Sequence, residues 1–400
     1  IDPTNQNVAY VCLNGFGLAA GQHIWETTNL LSGSPTWTAA GGGIPDVPVN
    51  AFVVDPANTQ VLYSGTDIGV FQSTDGGANW TPFSAGLPRV AVFGMEIQPL
   101  HRVLRIATHG KGMWEYDLGN KKTVADFDGD GRSDLSIFRP SVGEWWFQRS
   151  FDSVVSAAQF GQAGDLVAAA DFTGDGRTDI AFFRPSTGQW FILRSEDGSF
   201  LAFPFGSAGD IPMPADYDGD GKADAAVFRP STGTWFILRS SDGGITITQF
   251  GTTGDLPVAA DYDGDGVADI AIFRPAGTNG AEWWVQRSSA GLIALQFGSS
   301  TDKAVPGDYT GDGKADIAFF RPSSGQWFIL RSEDFSFLAF PWGQAGDIPV
   351  PGDYDGDSKM DPAVFRPSNS TWFIDRTTTG VQIGGFGLGT DQPVANATVR

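Results

Sequence analysis

The sequence predicts an all-β fold, and three observations support this prediction. First, a unit of about 45 residues recurs six times, and its copies open at Asp126, Asp171, Asp216, Asp261, Asp308 and Asp353. Second, 53 glycines, 24 prolines and 13% aromatic residues suit short strands joined by tight turns. Third, each copy holds short apolar segments separated by turn residues. Self-similarity at a fixed period is typical of repeat architectures.

The second copy shows the elements of one repeat. Its apolar segments lie at 167–170, 180–185, 190–194 and 200–203, with turns between them. The third segment is apolar on both alternating faces, so both faces of its sheet must be covered. Four strands of about five residues with their turns fill such a unit, which has the length of a propeller blade. We therefore expect a β-propeller of six four-stranded blades.

The number of blades depends on the chain end. Copies 1 and 4 share Glu-Trp-Trp-x-Gln-Arg, and copies 2 and 5 share a Thr-Gly-Asp-Gly loop, as though a triplet had been duplicated. A seventh copy begins at 391–395 and stops before any acidic loop. This tail is expected either to latch a ring of six or to complete a seventh blade, which is the alternative.

The amino-terminal part has a different pattern. Residues 1–118 contain few acidic loops and three strand-turn groups that begin near Asn7, Asn50 and Phe93. The expected organisation is an incomplete propeller segment at 1–118, a linker at 119–123 and the repeat domain at 124–400. One turn in the first part follows the pattern Ser-x-Asp-x-Gly-x-x-Trp, and its residues are Ser73, Asp75, Gly77 and Trp80.

Each repeat opens with a nine-residue segment, here called an Asp loop. In loop 1 (126–134), aspartates stand at positions 1, 3, 5 and 9, and glycine stands at position 6. Alternate spacing turns three carboxylates inward, the glycine permits a sharp turn, the carbonyl of position 7 can add an oxygen, and the last aspartate closes the cage. Such hard oxygen ligands suit Ca²⁺ better than Zn²⁺ or Mg²⁺, and six loops predict about six calcium ions. The alternative is that the loops are Asx-turn hairpins without metal, although their carboxylates would then repel one another.

The candidate ligands occupy positions 1, 3, 5, 7 and 9 of every loop. They are Asp126, Asp128, Asp130, Arg132 and Asp134 in loop 1; Asp171, Thr173, Asp175, Arg177 and Asp179 in loop 2; Asp216, Asp218, Asp220, Lys222 and Asp224 in loop 3; Asp261, Asp263, Asp265, Val267 and Asp269 in loop 4; Asp308, Thr310, Asp312, Lys314 and Asp316 in loop 5; and Asp353, Asp355, Asp357, Lys359 and Asp361 in loop 6. We expect weaker binding in loops 2 and 5, where threonine replaces an aspartate, and in loop 6, where Ser358 replaces the glycine of position 6.

Charge and cysteine content exclude several kinds of partner. The formal net charge of −21 argues against nucleic acid or an anionic membrane surface and favours cations. Cys12 is the only cysteine, so a disulfide framework is excluded. The sequence shows no run of 18 apolar residues and no signal peptide at its start, and the absence of an initial Met indicates processing or a fragment.

Two further sets of residues have alternative interpretations. Six arginines follow phenylalanine in Phe-Arg-Pro elements, and they predict either a ring that binds an anionic ligand or, as we favour, ion pairs with the aspartate before the first strand of a repeat. The set is Arg139, Arg184, Arg229, Arg274, Arg321 and Arg366, with Asp165, Asp210, Asp255, Asp302 and Asp347 as the expected partners. The pairs Trp145-Trp146 and Trp283-Trp284 fit either the core between blades or stacking on sugars.

The Asp loop followed by an apolar strand resembles the FG-GAP/VCBS repeats of integrin-type propellers and bacterial surface proteins. This resemblance covers residues 122–400 and implies that the loop aspartates bind calcium at a turn of each blade. The Ser73 to Trp80 turn resembles the Asp-box of BNR and sortilin-like propellers, in which it is structural. That second resemblance covers roughly residues 3–118 and implies the closing blades of an incomplete propeller.

Three classes of function remain open from the sequence. The leading one is a secreted or cell-surface protein whose calcium-stabilised propeller binds glycans or proteins, as in adhesion. The others are an extracellular glycoside hydrolase or lyase whose catalytic part is incomplete here, and a subunit of an extracellular assembly that a neighbouring copy completes. No catalytic residue is singled out, because almost all aspartates belong to loops and turns. Asn369 and Asn396 lie in sequons for glycosylation.

Overall fold

The structure is a computed structural model that describes residues 1–2, 5–19, 21–56, 59–83, 89–98, 103–118 and 123–395. The chain divides into two compact units, Ile1–Asn120 and Lys121–Arg400. Residues 119–122 of the predicted linker lie outside the described residues, and so does Asn396. Within the described ranges, no helix has the length and apolar character that crossing a membrane requires.

The first unit consists of three antiparallel sheets of three, four and three strands, in the orders β1-β2-β3, β4-β5-β6-β7 and β10-β9-β8. The strands are β1 (Ala9–Cys12), β2 (Gly21–Thr27), β3 (Thr38–Gly41), β4 (Val49–Val54), β5 (Leu62–Thr66), β6 (Gly69–Ser73), β7 (Thr81–Phe83), β8 (Val92–Gln98), β9 (Val103–Thr108) and β10 (Gly112–Asp117). Its core holds buried Ile24, Leu62 and Trp80 in one cluster and Leu104 and Ile106 in another.

The second unit contains 24 short strands in its described part. They are β11 (Leu135–Arg139), β12 (Glu144–Gln148), β13 (Val155–Gln159), β14 (Leu166–Val167), β15 (Ile180–Arg184), β16 (Gln189–Leu193), β17 (Phe200–Pro204), β18 (Ile211–Pro212), β19 (Ala225–Arg229), β20 (Thr234–Leu238), β21 (Ile245–Gln249), β22 (Leu256–Pro257), β23 (Ile270–Arg274), β24 (Glu282–Arg287), β25 (Gly291–Gln296), β26 (Lys303–Ala304), β27 (Ile317–Arg321), β28 (Gln326–Leu330), β29 (Phe337–Pro341), β30 (Ile348–Pro349), β31 (Ala363–Arg366), β32 (Thr371–Arg376), β33 (Gly380–Gly385) and β34 (Gln392–Pro393).

These strands form six four-stranded antiparallel sheets, which we number by repeat, and the predicted all-β propeller fold is confirmed. In sheets 2 to 6 the strands lie side by side in the order in which they occur along the chain, as in β14-β15-β16-β17. Sheet 1 has the order β13-β12-β11-β34, so the chain end supplies its first strand. Phe138 pairs with Gln392 and Ile137 with Pro393. The tail therefore latches the first repeat.

One predicted strand is shorter than expected. The segment 167–170 contributes only Val167 to β14, and Ala170 instead forms an isolated bridge with Asp179. That bridge closes Asp loop 2, so the end of the segment belongs to the loop. The third strand agrees with its expected apolar character: in β16, Trp190 and Ile192 are buried, while Phe191 and Leu193 are half-buried.

Buried aromatic side chains hold the sheets together. A tryptophan of the third strand is fully buried in every repeat, at Trp145, Trp190, Trp235, Trp283, Trp327 and Trp372. Its indole N–H is satisfied by a backbone carbonyl at the end of the fourth strand, as from Trp190 to Phe205 at 2.8 Å. One apolar cluster joins Ile137 of sheet 1, Phe182 of sheet 2 and Phe365 of sheet 6. The core therefore continues from the last repeat to the first.

Candidate metal centre

The aspartate at position 1 is fixed by the backbone of its own loop. In loop 1, Oδ1 of Asp126 accepts a hydrogen bond from the Gly129 N–H at 2.6 Å, and Oδ2 accepts one from the Gly131 N–H at 2.8 Å. The equivalent pair of bonds recurs in the other five loops. Gly131 has φ +84°, a conformation that glycine adopts without strain. The loop backbone thus orients this carboxylate before any ligand arrives.

The aspartate at position 9 ties the loop to its sheet. The side chain of Asp134 accepts from the Phe127 N–H at 2.8 Å and from the Ser150 N–H at 2.6 Å, and the residue is fully buried. Ser150 begins the turn after the third strand, so one carboxylate connects both ends of the loop to the strand edge. Asp179, Asp224, Asp269, Asp316 and Asp361 make the same two bonds.

The aspartates at positions 3 and 5 are held by that same turn. Asp355 accepts through Oδ2 from the Thr378 N–H at 2.9 Å and from the Thr378 hydroxyl at 2.6 Å. Asp357 accepts from the Thr377 hydroxyl at 2.5 Å. In loop 4, Asp263 likewise accepts through Oδ2 from Ser289. These bonds to position 3 use Oδ2. In loops 4 and 6 the Oδ1 atom of the position 3 carboxylate accepts no hydrogen bond.

The carboxylates converge in four of the six loops. In loops 1, 3, 4 and 6, three aspartates of the loop each place one oxygen within 4.8 Å of the others, and within the described residues these are the groups that could hold a metal ion. The groups are Asp126, Asp128 and Asp134; Asp216, Asp218 and Asp224; Asp261, Asp263 and Asp265; and Asp353, Asp355 and Asp357. The structure thus brings together many, but not all, of the predicted ligands.

Loops 2 and 5 have a different arrangement at position 3. The Thr173 hydroxyl lies 3.4 Å from Oδ1 of Asp171, and the Thr310 hydroxyl lies 3.5 Å from Oδ1 of Asp308. A hydroxyl can donate to the first carboxylate, whereas an aspartate at the same place can only accept. In these loops threonine therefore supplies a donor where the other four loops add negative charge.

The donor set fits calcium. Oxygens that share one Ca²⁺ at about 2.4 Å lie no more than about 4.8 Å apart, and calcium takes six to eight such ligands, including carboxylates. Oδ1 of Asp263 and Oδ1 of Asp355 are buried and have no hydrogen-bond partner. A buried carboxylate oxygen without a donor is costly unless a cation neutralises it. Both orphaned oxygens stand at position 3 of loops in which the carboxylates converge.

Several of the loop carboxylates have raised pKa values, whereas hydrogen bonds lower the pKa of Asp265 and Asp355. Burial, followed by the neighbouring Asp134 and Asp130, raises the pKa of Asp126 to about 8. Burial, followed by Asp128, raises the pKa of Asp134 to about 7. Burial also raises the pKa of Asp361 to about 7. Without a cation, the charged forms of these groups are therefore disfavoured.

Adjacent loops are joined by backbone hydrogen bonds. The carbonyl of Asp126 accepts from the Thr178 N–H of loop 2 at 2.6 Å, and the same bond links each later loop to the next. The series ends with Asp353 of loop 6, whose carbonyl accepts from the Ser133 N–H of loop 1 at 2.6 Å. The six loops thus form a closed circle in which position 1 of each loop contacts position 8 of the next.

The residue at position 7 donates a backbone hydrogen bond within its own loop, and its side chain lies against the preceding loop. The N–H of Lys222 donates to Oδ1 of Asp220 at 2.8 Å. A Cβ added at Gly174 of loop 2 would lie 3.1 Å from Cγ of Lys222 in loop 3. Position 4 must therefore stay small, and the predicted role of the position 7 carbonyls as ligands remains a prediction.

The hydroxyl of the residue after the third strand contacts the Asp loop, and this contact was not predicted from the sequence. Ser150, Ser195, Ser288, Ser332 and Thr377 each donate a side-chain hydrogen bond to the aspartate at position 5. A signal was present, because serine or threonine follows an arginine at this point of every repeat. The contact depends on the pairing of the second and third strands and on the conformation of the Asp loop, which the spacing of residues alone does not give.

The repeats of the second unit match known repeat families. The FG-GAP-like repeat matches residues 126–182, 171–227, 216–272 and 308–364, and the FG-GAP repeat matches 253–293. The chain belongs to the FG-GAP repeat family. These matches span more than half of the chain and include all six Asp loops, whereas residues 1–125 lie outside them. No curated protein sequence matches the chain.

Solved structures with a similar fold are distant from this FG-GAP protein. A streptogramin B lyase has 9% identity and TM-score 0.41, with 94% of this chain and 98% of that chain covered. An Agrocybe aegerita lectin, described as recognising non-reducing terminal N-acetylglucosamine, has 18% identity and TM-score 0.43, with 74% and 88% covered. Virginiamycin B lyase from Staphylococcus aureus has 8% identity and TM-score 0.38, with 88% and 97% covered. Similarity at these TM-scores says nothing about function.

The arginines of the FG-GAP repeats form the expected ion pairs. Five of them pair with the predicted aspartates, as in Arg184 with Asp165 at 2.7 and 2.8 Å, and this interpretation is confirmed. Arg139 pairs with Asp391 of the tail at 2.9 and 2.8 Å. Each guanidinium also stacks on an aromatic ring of the third strand, as Arg366 does on Phe373 at 4.2 Å. This sixth ion pair thus adds a side-chain contact to the backbone pairing between the tail and the first repeat.

In each double tryptophan, the first residue lies in the core and the second lies against an arginine side chain. Trp145 and Trp283 are buried and form the repeat core. Trp146 and Trp284 are half-buried, lie 5.5 Å from the guanidinium carbons of Arg139 and Arg274, and donate to glutamates. With an arginine on the ring, the alternative interpretation, stacking on sugars, receives no support here.

The turn of residues 73–80 is a compact structural element of the first unit. The Ser73 hydroxyl donates to Asp75 at 2.8 Å and accepts from the Gly77 N–H at 2.9 Å. The indole of Trp80 is 3% exposed and donates to the Ala40 carbonyl on β3 at 2.7 Å. These contacts attach the turn to the neighbouring sheet. Membership of the Asp-box family stays a prediction.

Proposed function

We propose that the second unit is a calcium-stabilised binding scaffold, and that the protein works outside the cell as a secreted or surface-attached adhesion or recognition protein. The observation that carries this proposal is the convergence of carboxylates in loops 1, 3, 4 and 6, with the buried orphan oxygens of Asp263 and Asp355. A cation at each loop would neutralise groups that otherwise repel one another. The proposed partner is a glycan or a protein.

In this proposal the chain prepares each site and the ion completes it. Position 1 is oriented by two backbone N–H groups, position 9 is locked to the sheet, and positions 3 and 5 are held by the turn after the third strand. Bound calcium supplies positive charge at the point where these oxygens meet. The loops would then become rigid, and because each loop hydrogen-bonds to the next, the whole rim of the propeller would be fixed for recognition.

The charge balance supports an extracellular setting. Almost half of the 46 acidic residues lie in the Asp loops, and six calcium ions would neutralise more than half of the net charge of −21. Loops of this kind in extracellular modules bind calcium with dissociation constants of about 10⁻⁴ to 10⁻³ M. Calcium at such concentrations is available outside cells. Asn369 is exposed in the turn before β32, where a glycan could be attached.

The direct test is thermal unfolding of the full chain with calcium and with excess chelator, together with native mass spectrometry of the same samples. The proposal predicts several bound calcium ions per chain and a melting temperature that falls clearly in chelator. An identical melting temperature in both conditions, with no bound metal, would reduce the Asp loops to simple turns.

Self-assembly is a second candidate, and one observation favours it. In the first unit, β10 forms the edge of its sheet, and Met113 and Trp114 on this strand are 71% and 37% exposed. An edge strand with exposed apolar side chains is a template for pairing with another chain. Light scattering of the wild type and of Met113→Lys tests this: assembly that depends on concentration and disappears in the variant supports it, and a monomer at all concentrations excludes it.

A further inference from the structure

A cleft separates sheets 5 and 6 beside Asp loops 5 and 6. Its volume is about 610 Å³, within the range of about 300 to 1,000 Å³ that is usual for small-ligand sites. One wall is apolar and comes from sheet 5, with Ile329, Leu338 and Phe340. The other wall comes from sheet 6 and contains Pro362 and Asp375.

The cleft lies where the sixth repeat departs from the repeat pattern. In sheet 5, Ile317 and Leu330 are paired across the second and third strands and pack in the apolar cluster shared with sheet 4. The sixth repeat has Pro362 and Asp375 at the equivalent positions, and the Asp375 N–H donates to the Pro362 carbonyl at 2.9 Å. Replacing two branched apolar side chains by a proline ring and a short polar group removes the atoms that would fill this space.

Asp375 contributes a carboxylate to the lining of the cleft. Among the described residues, no group donates a hydrogen bond to it and no cation lies within ion-pair distance. Burial raises its pKa, and no charged neighbour contributes to the shift. The equivalent residue is leucine in repeats 2, 3 and 5 and a neutral glutamine in repeats 1 and 4, so a charged group at this position is particular to repeat 6. A carboxylate in a cleft weakens packing, and its presence is not explained by stability.

The charges along the cleft favour a neutral ligand. Arg331, Arg376 and Lys359 line it together with Glu333 and Asp375. The three basic groups and the two carboxylates nearly cancel, so neither a cationic nor an anionic ligand gains strongly from entering the cleft. A neutral polyol suits both kinds of group, because each hydroxyl can donate to a carboxylate and accept from a guanidinium.

We propose that this cleft between sheets 5 and 6 binds a neutral sugar, with Asp375 accepting hydrogen bonds from its hydroxyls and Leu338 and Phe340 covering its C–H face. This inference rests on the proposed scaffold function and names a ligand class and a site for it. Thr310, Lys359 and Met360 belong to Asp loops 5 and 6 and also line the cleft. Sugar binding at this site is therefore expected to weaken when calcium is removed.

The test uses the full chain in millimolar calcium and an array of neutral oligosaccharides, followed by calorimetry with the methyl glycosides of the sugars that bind. At least one glycoside should bind, and Asp375→Leu should weaken it by about tenfold or more, because a hydrogen bond to a charged group is lost. Asp375→Leu introduces the residue that repeats 2, 3 and 5 carry at this position, Leu193, Leu238 and Leu330, and so should fold. Asp375→Asn, which keeps the shape, should give a smaller loss.

A matched control is Asp242→Leu, which removes an exposed carboxylate from the turn of sheet 3 and should leave binding unchanged. The inference is overturned if no neutral sugar binds, if binding survives Asp375→Leu, or if lysine methyl ester or methyl glucuronide binds through Asp375 instead. Calcium counting on the same variants separates the two proposals, since Asp375→Leu should retain all bound calcium. Sugar binding in the absence of calcium would contradict the proposal of a calcium-stabilised scaffold, but it would not contradict the proposed sugar site.

Discussion

Asp loops 1, 3, 4 and 6 carry aspartate at position 3, whereas loops 2 and 5 carry Thr173 and Thr310. All six loops share the backbone bonds to position 1, the double anchor of position 9 and the bond from each loop to the next. Only the four loops with aspartate bring three carboxylate oxygens within 4.8 Å of one another in the described structure. The loop shape and the cation site therefore depend on different residues.

The largest effect should come from position 9, which serves both kinds of loop. Asp134→Ala in loop 1 and Asp179→Ala in loop 2 each leave two buried or part-buried N–H groups without an acceptor, which costs about 2–4 kcal/mol of unfolding free energy. In chelator the two variants should lose similar amounts. With calcium, the loop 1 variant should lose more, as chemical denaturation in both conditions can measure. Equal losses with calcium would contradict the difference between the loops.

The dependence of stability on pH should reverse with calcium. In chelator, the pKa values of Asp126 (about 8), Asp134 (about 7) and Asp361 (about 7) lie above their ordinary value of 3.8, so the folded state binds protons more tightly. The melting temperature should therefore rise as pH falls from about 9 to about 6. With limiting calcium it should fall instead, because protons compete with the ion. Thermal scans over this range check both signs.

Converting one loop type into the other should change calcium affinity by about tenfold, which corresponds to about 1.4 kcal/mol. Thr173→Asp in loop 2 adds the missing carboxylate, so the variant should gain a tighter site and become less stable in chelator. Asp218→Thr in loop 3 should do the opposite. Thr232→Asp, on an exposed turn of the same unit, is the control for added charge. Calorimetric titration with calcium would show whether the affinities move.

The smallest effect concerns Ser358, the only non-glycine at position 6. Its φ is +77°, yet its N–H makes the same bond to Asp353 that glycine makes in the other loops. A left-handed conformation costs a residue with a side chain about 1–2 kcal/mol. Ser358→Gly should therefore stabilise the protein by about 1 kcal/mol in chelator, measured by denaturation. A loss of stability would mean that the serine side chain contributes contacts that outweigh its strain.

The sequence predicted those features that recur at fixed spacing. The repeat, its four strands and five of the six arginine pairs follow from periodicity and charge, and the structure confirms them. Three features were not read in this way. The bond of Ser150 to Asp130 depends on the conformation of the Asp loop, Arg139 and Asp391 are 252 residues apart, and the cleft at Asp375 forms between two sheets. The pairing of the tail with β11 is a contact of the same distant kind, and the number of blades stays a prediction.

Calorimetric titration of the calcium-free full chain tests the central claim most directly. We expect two classes of site, a tighter class of about four from the loops with aspartate at position 3 and a weaker class of about two from loops 2 and 5, with loop 6 the weakest of the four because Ser358 replaces its glycine. Six equal sites would contradict the role given to position 3. No binding heat with calcium, together with unchanged stability, would contradict the assignment of the Asp loops as calcium sites.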